Sequence, residues 1–344
     1  RQIAFEAFLK VHRDGAYSNL VVDSLLKENN GLDERDRAFV CNLVYGTLDR
    51  LILIDYNLSL YLNQPVRKLK PELHTILRMG TYQLLFMDKV PSRAAVNESV
   101  NLAKVNKSSF AASLVNAVLR RVSDNGLRLP EGDESNPDFL AVKYSCPEWI
   151  LSLWIDAYGL ENAVALAEKA LEAPKVIIRT NTTKISADEL IWKLAEEGVV
   201  SERSDVAKDA LVISNTGSVE ELEAYKEGLF HAQDIASQIC CMAVDAQPGE
   251  TVFDMCSAPG GKAFTIAETM ENKGIVRAFD VYQSRVELIR NGAKRLGLEN
   301  VFSYLSDASV VNENYGLADR VLCDVPCSGL GIIRRKPEIR FKSR

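Results

Sequence analysis

Two short runs hold the residue types best able to do chemistry: FDMCSAPGGK, from Phe253 to Lys262, and CDVPCSG, from Cys323 to Gly329. The first reads as a strand that breaks into a glycine-rich turn and opens a helix, where backbone N–H groups and the helix dipole can hold an anionic ligand. The second puts a cysteine where another strand ends. A cofactor cradle and a thiol at neighbouring strand ends point to group transfer through a covalent or thiol-assisted step. Gly260 and Gly261 let backbone approach a ligand closely. Asp280, about 20 residues on, stands where an acid receives ribose hydroxyls. Asp307 follows the next strand, where a short acid can accept from an adenine amino group. The order SAPGGK is neither G-x-G-x-x-G nor G-x-x-x-x-G-K-[ST], which disfavours dinucleotide and P-loop readings.

For these residues to meet, strands must carry them to one edge. After Asp234 strand and helix alternate at about 25-residue intervals, the sequence form of a parallel doubly wound sheet. Strands are expected over 251–253, 275–279, 301–304 and 320–323, and an acid follows each: Asp254, Asp280, Asp307 and Asp324. In an open sheet the ligand lies across the carboxyl ends of the strands, so these acids gather around one crevice.

Upstream, residues 1 to about 125 show apolar residues at three and four spacing and read as helices throughout. Breaks are expected at 29–31, 63–65 and 90–91. Nothing here looks catalytic, and His12 and His74 read as isolated packing or surface residues. Residues 124–137 turn polar and read as a linker. Beyond it a helix is expected over 147–172, then strands over 176–181, 199–202, 210–214 and 228–231, with capping boxes at Ser186/Glu189 and Ser218/Glu221. This small α/β unit reads as a spacer. The expected domains are therefore 1–130, 138–232 and 233–344.

The 344 residues leave room for two or three domains. Hydrophobic residues make 47% and charged residues 26%, an ordinary globular balance. No apolar run approaches the roughly 20 residues of a membrane span, and neither end looks like a targeting segment. The sequence starts without methionine and stops inside a basic run, the expectation being a fragment. The seven cysteines lack paired CxxC spacing and a small-domain framework, which disfavours a disulfide scaffold or zinc site and fits reduced thiols in a cytoplasm, with no metal. The net charge of −6 sits in the middle third, and RRKPEIRFKSR from Arg334 carries six basic residues and one acid that could meet phosphates.

APGGK at 258–262 with DVPCSGLGIIRRKPEIRF at 324–341 resembles the RNA 5-methylcytosine methyltransferases that use S-adenosyl-L-methionine. DRAFVCNLVYGTL at 36–48, VPSRAAVNESVNLAK at 90–104 and FAASLVNAVLRRV at 110–122 resemble the NusB antitermination fold, and QDIASQ at 233–238 matches the element leading into the catalytic domain. The combination is similar, over nearly the whole chain, to the bacterial RsmB (Sun, Fmu) type of small-subunit ribosomal RNA methyltransferase. The fold class this implies is multidomain: an all-α NusB-like RNA-binding domain, a small α/β spacer, and an α/β Rossmann-like methyltransferase domain truncated at its C-terminus.

The resemblance also implies roles. Cys256, Ser257, Ala258, Pro259, Gly260, Gly261 and Lys262, with Asp280, Asp307 and Asp324, would hold S-adenosyl-L-methionine. Asp324 would hydrogen-bond the target cytosine, Lys262 would help polarise its ring, and Cys327, in a proline-cysteine motif, would help release product. The attacking cysteine belongs to a threonine-cysteine motif expected beyond residue 344. Cytosine C5 is too weak a nucleophile to take a methyl group directly, so a thiolate adds to C6 and makes C5 enamine-like. Loss of the C5 proton and elimination of the thiol restore the ring. The implied protein is a cytoplasmic monomer acting on 16S ribosomal RNA, at the cytosine 967 of this type. The competing reading is an RNA-binding or assembly factor that binds the cofactor without turnover. Small-molecule methyl transfer is disfavoured by the helical module and the basic end.

Overall fold

The computed structural model describes residues 1–106, 108–133 and 135–341. Contacts divide the chain into two compact units: Arg1–Pro174 joined by the chain from Ser328, and Lys175–Cys327.

The first unit is helical: α1 (Gln2–Asp14), α2 (Ser18–Glu28), α3 (Glu34–Asp49), α4 (Leu51–Ser59), α5 (Pro71–Phe86), α6 (Ser92–Val105), α7 (Ala112–Asn125), α8 (Pro137–Lys143), α9 (Glu148–Tyr158) and α10 (Leu160–Lys169). Proline at its first position suits the start of α5, and that helix is buried from Leu73 to Gln83, so the others pack around it. Phe5, Phe8, Leu43, Ile54, Ile76, Leu77 and Leu119 fill the core. His12 and His74, isolated in the sequence, are brought together. His74 Nε2 lies 2.9 Å from the Asp55 carboxylate, Arg78 grips that carboxylate at 2.8 and 2.6 Å, and its third nitrogen lies 2.8 Å from His12 Nε2. Burial, helped by the Arg78 charge, pushes His12 down to about 4, which keeps it a neutral acceptor.

Several expectations change in this unit. The helix expected over 147–172 breaks at Gly159, whose φ of 80° lies in the left-handed region. Helices α8 to α10 close around Leu140, Ile150, Leu151 and Ala163 together with Ile333 and Ile339, a core of their own within the first unit. One residue of the basic end is not free for phosphates. Arg340 is 1% exposed and donates to the carbonyls of Asp49 (3.0 Å) and Ala170 (2.7 Å), and Glu338 accepts from Ser18 N (3.0 Å) and Oγ (2.8 Å). Burial pushes the Asp49 carboxyl beside Arg340 up to about 7, although Arg340 and Arg50 pull it down. Residues 342–344 of the basic run lie outside the described residues.

The second unit opens with β1 (Val176–Thr180), α11 (Ala187–Glu196), β2 (Val200–Arg203), β3 (Ala210–Ser214), α12 (Glu223–Lys226) and β4 (Phe230–Ala232). They make an antiparallel sheet in the order β2-β3-β1-β4, with Ile177 opposite Val212 and Arg179 opposite His231. The Ser186/Glu189 capping box forms with both arms. The one expected at Ser218/Glu221 does not: residues 219–221 make a single 3-10 turn that stops where Leu222 becomes extended, and the Ser218 side chain makes no cap bond. Instead Glu197 accepts from the N–H groups of Glu223 (2.7 Å) and Ala224 (3.0 Å) to cap α12.

Then follow α13 (Ile235–Val244), β5 (Thr251–Asp254), α14 (Gly261–Thr269), β6 (Ile275–Asp280), α15 (Gln283–Leu296), β7 (Val301–Leu305) and β8 (Arg320–Leu322). The sheet is parallel, ordered β7-β6-β5-β8, with Thr251 opposite Ile275, Val276 opposite Val301 and Val252 opposite Arg320. From β5 the chain builds outward through β6 and β7, then returns to place β8 on the other side. That reversal opens a crevice at the carboxyl ends of β5 and β8. Among the described residues no helix is long and apolar enough to cross a membrane.

Candidate active site

Asp254 ends β5 at the centre of that crevice. It is 1% exposed, and neither carboxylate oxygen has a hydrogen-bond partner. Burial pushes its carboxyl up to about 6, against the pull of the Ser257 hydroxyl and the Lys262 charge. The Ser257 hydroxyl is close enough to act on that charge but makes no bond of acceptable geometry, and it too is buried without a partner. Two unpaired polar groups side by side are costly unless something else meets them.

The loop after Asp254 is pinned to both neighbouring strands. Met255 N–H donates to the Leu322 carbonyl (2.9 Å), Ser257 N–H to Phe279 (2.8 Å) and Gly260 N–H to Ser257 (2.8 Å). At Gly260 φ is 111°, and a Cβ there would lie 2.3 Å from the Phe264 ring. Only glycine fits, which brings bare backbone to the start of α14. Ala258 packs against the core, while Pro259 is exposed and Cys256 half-buried. Burial, reinforced by Cys323 and the nearby acids, pushes the Cys256 thiol up.

Lys262, in the first turn of α14, reaches across to β8: Nζ lies 2.5 Å from Asp324 Oδ2. Burial works against the ammonium, but the bond to Asp324 more than offsets it and the Lys262 pKa rises. Asp280 ends β6, is buried, and accepts from Tyr282 N–H at 3.1 Å, with Arg285 3.9 Å away. The structure thus joins Lys262 and Asp324 directly and sets Asp254, Ser257, Gly260 and Asp280 on adjoining strand ends. Asp307 is exposed and occupied within its own loop, accepting from Ser309 N (2.9 Å) and Oγ (2.7 Å), which holds it below the usual carboxylate range. Cys327 is exposed, three residues after Asp324, and all seven cysteines are unbridged. Sequence reasoning counted Asp254 among the strand-end acids but gave it no role. Its signal was an acid closing the apolar run VF, which says nothing about missing partners.

Two clefts lie away from these residues. One of about 830 Å³, lined by Leu153, Tyr158, Leu166 and Leu330, belongs to the helical unit. Another of about 780 Å³ lies between the antiparallel sheet and the flank of α14, beside Arg179, Asp209 and Glu268. Neither contains any of the residues singled out above.

Comparison with known proteins gives three matches along the chain: the NusB family over residues 1–124, the RsmF/B-like ferredoxin-like domain over 146–220, and the 16S rRNA methyltransferase RsmB/F family over 241–344. The probable ribosomal RNA small subunit methyltransferase B of Bacillus subtilis is 38% identical over 346 aligned residues, covering 100% of this chain and 77% of that protein. The ribosomal RNA small subunit methyltransferase B of Pseudomonas putida is 30% identical, covering 92% and 72%. Among solved structures, that of PH0851 superposes with a TM-score of 0.79 at 25% identity, covering 100% of this chain and 78% of that one. A NusB-like helical unit, a ferredoxin-like sheet and a parallel sheet with a glycine cradle define a multidomain methyltransferase. Within that class the chain belongs to the ribosomal RNA small subunit methyltransferase B family.

Proposed function

We propose that this protein carries a methyl group from S-adenosyl-L-methionine to C5 of a cytosine in small-subunit ribosomal RNA, at cytosine 967 of the 16S molecule. The names of its relatives support the RNA substrate. The observation that carries the cofactor reading is the pair of unpaired buried groups, Asp254 and Ser257, beside a turn that only glycine can make. A ligand with cationic donors and a carboxylate satisfies both halves of such a cradle: the donors meet Asp254 and Ser257, and the carboxylate meets the N–H groups that open α14. Cys256, Ala258 and Pro259 shape the loop, Asp280 takes the ribose hydroxyls, and Asp307 the adenine amino group. When bound, the cofactor supplies an electrophilic methyl group on a sulfonium.

The remaining residues act on the base. Asp324 accepts from the exocyclic amino group of cytosine, and Lys262, held against it, donates to the ring carbonyl and draws electrons from the ring. Both groups lie at the start of one helix and the end of one strand, so the pair can orient the base without reorganising. Cys327 serves product release as the base, directly or through a water it positions, that takes the C5 proton, and the electron pair of that C–H bond expels the sulfur at C6. A flipped base from looped or single-stranded RNA reaches such a site at least cost.

The test is bisulfite sequencing of 16S ribosomal RNA from a strain lacking the gene, with and without the wild-type gene restored. The 5-methylcytosine at position 967 should vanish and return. Its persistence in the deletion strain refutes the assignment, and loss at another cytosine refutes the position alone. Cofactor binding without transfer of a labelled methyl group would select the assembly-factor reading.

A further inference from the structure

The first turn of α14 is held by a residue outside the cofactor loop. β4 pairs with β1, and just past its end Gln233 N–H still donates to the Ile177 carbonyl at 3.1 Å, so Gln233 is fixed by the ferredoxin-like sheet. Its side chain, 7% exposed, makes two bonds to α14: Nε2 donates to the Gly261 carbonyl at 3.0 Å, and Oε1 accepts from the Thr265 hydroxyl at 2.7 Å. Two residues earlier, on the same side of the strand, the His231 ring meets Phe264 edge-on with centroids 5.8 Å apart. Phe264 is the ring that forbids a side chain at Gly260. Further along α14, buried Glu268 accepts from Arg179 of β1 at 2.9 Å. These contacts run from one antiparallel sheet to the helix whose beginning is the cradle.

We infer that Gln233 is a positioning residue for the cofactor site, so that the ferredoxin-like domain sets the cradle's geometry instead of serving only as a spacer. The Gly261 carbonyl shares a peptide unit with the Lys262 N–H. A donor on the carbonyl fixes the tilt of that unit and polarises its N–H toward a bound anion. Glycine at 260 and 261 gives this backbone more freedom than other residues would, and the Gln233 amide joins the Thr265 hydroxyl (3.0 Å) on the Gly261 carbonyl in restraining it. The inference rests on the proposed cofactor reading, and its test separates the two.

Gln233→Leu keeps the volume and removes both bonds, while Thr265→Val and Thr265→Ser remove and keep the hydroxyl. Gln233→Leu and Thr265→Val should each weaken S-adenosyl-L-methionine binding about tenfold by calorimetry, roughly one hydrogen bond's worth. The double variant should lose less than the product of the two, Thr265→Ser should bind like wild type, and affinity for a 16S fragment should stay within twofold. Hydrogen exchange should speed up in the first turn of α14 and not in α15. Wild-type exchange there with cofactor affinity within twofold overturns the inference, and so does faster exchange spread evenly over the whole unit, which marks a packing role only. If the wild-type protein binds no S-adenosyl-L-methionine, the cofactor reading fails, while exchange in α14 still decides whether Gln233 holds the turn.

Discussion

Asp254→Asn should stabilise the ligand-free protein at neutral pH while destroying the cofactor site. Burial raises the Asp254 carboxyl from 3.8 to about 6. A group whose pKa is raised on folding contributes its stability below the unfolded value and loses it as pH climbs through the folded one. About two pH units at ~1.4 kcal/mol each make this loss ~3 kcal/mol between pH 4 and pH 8. Asparagine keeps the shape and carries no charge, but its amide also lacks partners, at a cost of about 1 kcal/mol or more. The variant should therefore be slightly less stable than wild type near pH 4.5 and more stable by roughly 2 kcal/mol at pH 8. Urea unfolding of both proteins across this range reads the difference, and charges common to both cancel. Cofactor donors that meet the carboxylate lower its pKa, so wild type should release a proton on binding near pH 6, seen as a buffer-dependent heat, and the variant should not. A stability difference that stays flat from pH 4.5 to 8 would refute the claim that this carboxyl is buried and unpaired.

Gly260→Ala places a Cβ against the Phe264 ring at a φ of 111° and should cost about 2–4 kcal/mol in urea unfolding and abolish cofactor binding. Asp280→Ala should weaken cofactor binding at least tenfold by calorimetry, because the buried acceptor at the end of β6 is lost; equal affinity removes that role. Cys327→Ala in the full-length protein should leave a protein–RNA adduct on denaturing gels, and product at the wild-type rate would end its release function. Arg340→Ala leaves the carbonyls of Asp49 and Ala170 without their donor and the Asp49 carboxylate without its ion-pair partner and should cost the helical unit about 3–5 kcal/mol, against almost nothing if that end of the chain were only a solvated basic tail.

The elements that build the site were legible because their signals are local. Alternating apolar runs, the glycine turn and the acids after each strand lie within a few residues of one another, and the parallel strands form within one or two residues of where periodicity puts them. Ser186 and Glu189 signalled a helix start because both arms of that box are three residues apart. Ser218 and Glu221 have the same spacing and fail, since the cap of α12 comes from Glu197, which no spacing rule reaches.

What stayed hidden depends on burial by distant chain. RRKPEIRF reads as exposed charge, yet Arg340 is among the largest fully buried side chains, its charge facing Asp49 and two of its nitrogens donating to carbonyls of α3 and the end of α10. Asp254 was visible as an acid, but its chemistry lies in what does not touch it, a property of the folded crevice alone. Gln233 shows the same limit from the other side. In sequence it opens the QDIASQ element, and its contact with the loop arises because the ferredoxin-like sheet delivers its amide to the Gly261 carbonyl, which shares a peptide unit with the Lys262 N–H. The proposed site therefore draws on two sheets: the parallel one supplies the acids and the turn, and the antiparallel one adds a donor from outside the loop to the Gly261 carbonyl.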